Sequence, residues 1–249
     1  GVLTFNRSAG VTIDQNFTAT TLALTSGIVT TGANAITIAS GGTFSGASAT
    51  SFVSGTLRRV YPSATSLVFP IGKGGNYRPV TLQYTSLTGT STTTIEQFET
   101  ALTGTLPAST NLNNSRYWDV SQTGGTGVAY KLQLDATGDT PSGTIVMLKK
   151  ESGTITSNAV TTPNYTNTTS FTGMTGTVSF TMGSNCTQTS VAGSNTTTCN
   201  GSSVVLAANT PTYGSGVWSV VQVVQLLSFL VHQILQRHLH PLAEMGLTL

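Results

Sequence analysis

Helical periodicity is almost absent from the first 220 residues. In its place, short runs of Thr, Val, Ile and Leu are cut every few residues by Gly, Asn and Ser-Gly turns. β-Branched residues fit a pleated surface and glycine punctuates it, so a chain of this texture is confined to strands and tight turns. The expected class is all-β. Charge agrees with that reading. Of 249 residues, 10 are Lys or Arg and 8 are Asp or Glu, which is 7% charged, against about 25% in an ordinary soluble domain. A net charge of +2 gives no basic footprint, so nucleic acid is not an expected partner. At 38% apolar residues the chain also differs from disordered segments, which cannot bury a core.

Few lysines and glutamates with abundant Thr, Val, Asn and Gly fit an exported β-rich protein better than a cytosolic enzyme. The chain opens on Gly1 with no charged-then-apolar leader, so a removed leader or a piece of a longer chain is expected. Cys186 and Cys199 lie among Ser, Thr, Asn and Gly; a disulfide between them is one option, and two thiols without a nearby His do not make a four-ligand zinc site. Eight Asn-x-Ser/Thr sequons, from Asn6 to Asn200, are what this composition produces by chance.

Four textures follow one another. In residues 1–60, Ile28, Ile36, Phe44 and Phe52 recur every eight residues between Gly-rich turns. This predicts a short β-solenoid-like region, or a tight meander, with each coil burying its apolar row on the next and with coils continuing upstream. From Val60 the strands expected are 67–71, 77–84, 93–100, 117–121, 128–134, 144–149, 169–172 and 177–182. In one of them Tyr130, Leu132 and Leu134 share a face opposite Lys131 and Gln133. Strands in that number without a helix predict an antiparallel β-sandwich over 61–184. In 185–221 a Cys199 strand followed by a Trp218 strand reads as the opening of an incomplete Ig-like module.

The Leu-rich tail, 222–249, holds all three histidines, His232, His238 and His240. An amphipathic helix is one reading, from Val220, Val223, Val224, Leu227, Leu230, Val231 and Ile234. A membrane span is not expected, because Gln222, Gln225, His232 and Gln233 interrupt a stretch of barely spanning length. The preferred reading is a shifted frame: re-pairing the codons permits the ending Gly-Asp-Gly-Thr-Tyr-Thr and returns Ser, Gly, Ala and Thr upstream.

No catalytic constellation is expected, and no cofactor. Residues 1–231 lack histidine, which excludes a Ser-His-Asp or Cys-His arrangement there. The tail histidines, with Glu244 the near carboxylate, are not expected to bind metal. Glu96 and Glu99 fall on opposite faces of a strand and are no glycosidase pair. Asp135 and Asp139 flank a turn, where Asp bonds its own backbone, and they supply too few oxygens for calcium. Gly72-Lys73-Gly74-Gly75 lacks the spacing and the helix of a phosphate loop and reads as a turn. Arg58, Arg59 and Arg78 read as solvated cations or edge guards. Tyr77, Tyr84, Tyr117, Trp118 and Tyr130 are expected in cross-strand packing; the sugar-stacking alternative rests on Tyr77, Tyr117, Trp118 and Tyr130.

The stretches 22–32, 52–59, 69–72 and 76–82, with Cys199–Leu206 and Gly216–Ser219, resemble the repetitive cell-surface proteins of Bacteroidota. The resemblance covers roughly residues 1–221 and rests on low-complexity motifs. It implies solenoid-like coils leading into a β-sandwich and then Ig-like or PKD-like modules, exported to the cell surface, often by a type IX system. It implies stalks, spacers and adhesive surfaces, with no catalytic residues to carry over. The function expected is a non-catalytic fragment of a secreted multidomain surface protein with a structural or adhesive role, whose partners are surface glycans or other surface proteins. The alternative is a carbohydrate-binding accessory region of a secreted polysaccharide-degrading enzyme.

Overall fold

The computed structural model describes residues 1–139 and 143–185. They form 18 strands and, among the described residues, no helix. The first five are β1 (Val2–Asn6), β2 (Val11–Thr12), β3 (Phe17–Ser26), β4 (Val29–Ser45) and β5 (Val53–Tyr61). All their pairings with one another are parallel: β1 with β3, β2 with β4, β3 with β4, and β4 with β5. Consecutive strands running parallel in one sheet are solenoid coils, not the hairpins of a meander.

The step of the coil corrects the eight-residue reading. Leu3 lies beside Leu22, Phe17 beside Ile36, Val29 beside Val53, and Ile36 beside Leu57. The chain therefore advances by 19 to 24 residues per coil at these pairs. Ile36 and Phe44 stand in the same strand, β4, so the eightfold rhythm runs along a coil rather than between coils. Side chains mend the ladder where β4 bulges between Thr30 and Ala35. The buried Thr31 hydroxyl accepts from Thr56 N at 2.9 Å, and Asn16 Oδ1 accepts from Ala35 N at 2.8 Å. Gly55 faces Thr31 with φ of +130°, and a Cβ there would collide with the Thr31 hydroxyl.

The remaining strands are β6 (Ser66–Phe69), β7 (Ile71–Lys73), β8 (Asn76–Tyr77), β9 (Val80–Thr88), β10 (Ser91–Phe98), β11 (Thr110–Leu112), β12 (Tyr117–Thr123), β13 (Thr126–Leu134), β14 (Thr144–Glu151), β15 (Thr154–Thr161), β16 (Thr166–Asn167), β17 (Phe171–Thr172) and β18 (Thr177–Asn185). The strand expectations over 61–184 match β6 to β10, β12 to β14, β17 and β18; the short β11 and β16 and the eight-residue β15 are additional.

β5 joins the two regions. It is parallel to β4 on one side and antiparallel to β10 on the other. The ladder then continues antiparallel through β12, β18, β14 and β15. The boundary expected at residue 60 thus falls inside a strand that serves both regions. A second antiparallel sheet runs β6–β9–β13, with β16 and β17 beside β13. β15 pairs with β14 in the first sheet and with β16 in the second, which links the two sheets at that edge.

One inner row shows why the sheets pack as they do. Phe17, Ile36, Leu57, Ile95, Val120 and Val178 are successive cross-strand partners, and all but Phe17 are fully buried. Trp118, Phe180 and Met182 extend this face. Val80, Leu82, Tyr84, Tyr130, Leu132 and Leu134 of the second sheet share the same core. The alternation read for Tyr130, Leu132 and Leu134 holds, with Lys131 and Gln133 on the outer side. A smaller cluster of Leu102, Val146, Leu148 and Ile155 lies on the outer side of the first sheet. Asn185 ends β18; the rest of the expected Ig-like module, both cysteines and the Leu-rich tail lie outside the described residues.

Candidate functional site

The aromatic platform does not assemble. Trp118 and Tyr130 are fully buried, which corrects their reading as sugar-stacking rings: they point inward from β12 and β13, where their area belongs to the core. Trp118 Nε1 donates to the Arg78 carbonyl at 3.2 Å, and Tyr130 packs edge-on to Tyr84 and Phe180. Tyr117 is half-buried and stacks on Phe98 with centroids 4.8 Å apart and planes 13° apart, so each ring covers a face of the other. Tyr77 is half-buried against Phe52, at 5.7 Å. A sugar needs an open ring face; Trp118 and Tyr130 offer none, and Tyr77 and Tyr117 each pack against a phenylalanine instead of joining them in one platform.

Arg59 and Arg78 are not solvated cations. β5 alternates strictly, and Arg59 takes an inward position at 4% exposure. Its guanidinium donates to Val68 O at 2.6 Å and Gly42 O at 2.7 Å, tying a coil to the edge strand β6. Arg78 bridges Glu99 at 3.3 Å and Asp135 at 3.1 Å, and also donates to Thr137 O at 3.0 Å. Arg116, nearly as buried as Arg59, pairs with Asp139 and donates to the same Thr137 carbonyl at 3.0 Å. Two guanidiniums therefore compensate the acidic groups at one end of the paired sheets. Burial pushes the Asp135 carboxyl up, but bonds from the Thr137 hydroxyl and amide and from Arg78 outweigh it and hold the group below its ordinary value. Asp139 goes the other way: burial raises it in spite of Asn114 and Arg116. The Asp turn is legible in the sequence, whereas Arg78 reads there as a solvated cation and Arg116 does not stand out, because their partners are far away in the chain.

The outer face of the first sheet carries a polar row in register. Thr18, Thr37, Arg58, Thr94, Ser121 and Thr177 are successive cross-strand partners on β3, β4, β5, β10, β12 and β18. Every member is half-exposed or exposed, and none of these side chains makes a hydrogen bond or ion pair within the described residues. The neighbouring row is different. Glu96 accepts from Lys73 at 2.9 Å and from Thr56 at 3.0 Å, and the cross-strand partner of Glu96 is Asp119, not Glu99. Asp119 accepts from Ser179 at 2.6 Å, and burial raises its carboxyl above the ordinary value. Glu99 lies past the end of β10 and accepts from Gln97 and Arg78.

A shallow groove of about 410 Å³ lies elsewhere, lined by Lys149, Glu151, Thr154, Thr172 and Thr175. Its charges satisfy each other, Lys149 to Glu151 at 2.6 Å, and Thr175 N donates to Glu151 at 3.1 Å. Among the described residues no group of three or more His, Cys, Asp or Glu is placed to hold a metal ion, and no helix is long and apolar enough to cross a membrane. No family model matches the chain, and neither a curated protein nor a solved structure is found to be similar to it.

Proposed function

We propose that this chain is a non-catalytic part of a secreted, multidomain bacterial surface protein with a structural and adhesive role. The observation that carries the reading is the unbroken ladder from β1 through β5 to β15, in which coils pass into antiparallel strands without a linker. A continuous ladder suits a part that must keep its shape in an unprotected environment. The charges near Arg78 and Arg116 are spent on one another rather than gathered around a cleft, which favours architecture over catalysis. Antibody labelling of intact and lysed cells of the source organism tests the reading, together with digestion of the full chain by trypsin and by a nonspecific protease. Labelling of intact cells and slow cleavage within residues 1–185 are expected. Labelling confined to lysed cells overturns it.

The carbohydrate-binding alternative no longer has its four-ring platform. What favours it instead is the row of hydroxyls around Arg58 that have no hydrogen-bond partner among the described residues.

A further inference from the structure

We propose that the row Thr18–Thr37–Arg58–Thr94–Ser121–Thr177 is a binding track for an extended acidic polysaccharide lying across the strands; the proposal rests on the adhesive reading above and names its ligand.

Three observations lead there. The row is straight in register, since each member is the direct partner of the next across six hydrogen-bonded strands. At roughly 4.8 Å per strand it extends about 24 Å, which is the dimension of a polymer segment and not of a small molecule. Its polar groups are also uncommitted. Carboxylates and hydroxyls in the adjacent row bond one another, Thr56 to Glu96 and Ser179 to Asp119, and Lys73 of β7 adds a bond to Glu96. The Thr and Ser hydroxyls of the proposed track have no such partner among the described residues. Five hydroxyls that each donate and accept match the hydroxyls of successive sugar rings.

The third observation selects the charge. Arg58 is the row's one ionised group and stands at its middle, between Thr37 and Thr94. A guanidinium presents a fork of donors that fits a carboxylate bidentately. A uronate in the polymer supplies that carboxylate, whereas a neutral chain leaves the fork unmatched. A peptide is the poorer fit, because peptide recognition uses a strand edge or apolar pockets, and this row lies mid-sheet. Nucleic acid needs several cations in line, and here there is one.

The test titrates oligogalacturonate, and separately a neutral oligosaccharide of the same length, into the full chain by calorimetry and by amide chemical shifts. Oligogalacturonate should bind, more weakly as salt is added. Arg58→Gln should weaken it at least about tenfold. Thr94→Val combined with Ser121→Ala should weaken it about threefold or more, through lost hydrogen bonds. Lys131→Gln, on the outer side of the second sheet, should change nothing, and circular dichroism should show all variants folded. The proposal is overturned if neither polymer binds, if the neutral one binds as well, or if Arg58→Gln leaves affinity unchanged. Loss on Arg58→Gln with no effect of the hydroxyl pair also overturns it, since that is a point charge and not a track. A chain that labels on intact cells and fails here loses this ligand alone.

Discussion

Arg58 and Arg59 are adjacent in the chain and face opposite sides of β5. Arg59 is buried with its guanidinium on the carbonyls of Val68 and Gly42, while Arg58 stands on the outer face between Thr37 and Thr94. The pleat alone separates them, because successive side chains in a strand point to opposite faces. Their energetic roles differ accordingly.

Arg59→Met should destabilise the protein by about 2–4 kcal/mol, because it leaves two carbonyls without their charged donor. Arg58→Met should stay within about 0.5 kcal/mol. Urea unfolding of the two variants measures the difference; equal costs would show that Arg59 does not hold β6 to the coil.

The two neighbouring aromatics of β12 offer a similar contrast. Trp118 is fully buried, and its Ala variant should cost about 3–5 kcal/mol. Tyr117 stacks on Phe98 at the half-buried outer side, so Tyr117→Ala should cost clearly less. Fluorescence-monitored denaturation of Tyr117→Ala, and circular dichroism for Trp118→Ala, give the two values.

Gly55 has φ of +130° and its missing Cβ leaves room for the Thr31 hydroxyl. Gly55→Ala should therefore lower stability by more than about 1 kcal/mol, through backbone strain and displacement of Thr31 from Thr56 N. Gly138→Ala also meets a positive φ but open space, so it should cost less. Melting temperatures of the two variants test the order.

At the turn of the β14–β15 hairpin, Ser152 and Gly153 both have positive φ, +49° and +82°. Glu151 pairs with Thr154, so the loop has two residues and needs the left-handed conformation at both. Asn tolerates that conformation better than Ser, and Ser152→Asn should stabilise by about 0.5 kcal/mol. Thermal unfolding reads the sign.

Two carboxylates should respond to pH in opposite directions. The folded-state value of Asp135 is depressed, so its contribution is present above the ordinary carboxylate range and disappears as pH falls through its lowered value. Asp135→Asn should thus destabilise at neutral pH and matter progressively less in acid. The value of Asp119 is raised, chiefly by burial. Its ionised form is a penalty at neutral pH that is relieved as pH falls through the raised value. Asp119→Asn should be neutral or stabilising at neutral pH, and that advantage should fade in acid. Unfolding free energies at a series of pH values decide both signs.

Much of the architecture is legible in the chain. The strand at Val80–Thr88 and its partner at Thr126–Leu134 announce themselves by alternation, and Gly74-Gly75 announces the turn that lets Lys73 pair with Asn76. Thr154–Thr161 does not announce itself, because Thr, Ser and Asn fill it and only Ile155 is buried. It is a strand through its pairing with β14, and that information resides in β14.

The site was less legible still. The residue types of the outer row are ordinary Thr, Ser and Arg, scattered from 18 to 177, and nothing in their local surroundings marks them as one line. Sequence by itself determined the all-β class, the positions of most strands and turns, and which residues share a side within a strand, because period-two alternation and glycine punctuation are local properties. The tertiary structure alone decided the step of the coils, the inward turn of Arg59, the burial of Trp118 and Tyr130, and the partners of Arg78 and Arg116. A strand's pattern separates its two faces, but only the strands that pack beside it and over it determine which face is dry.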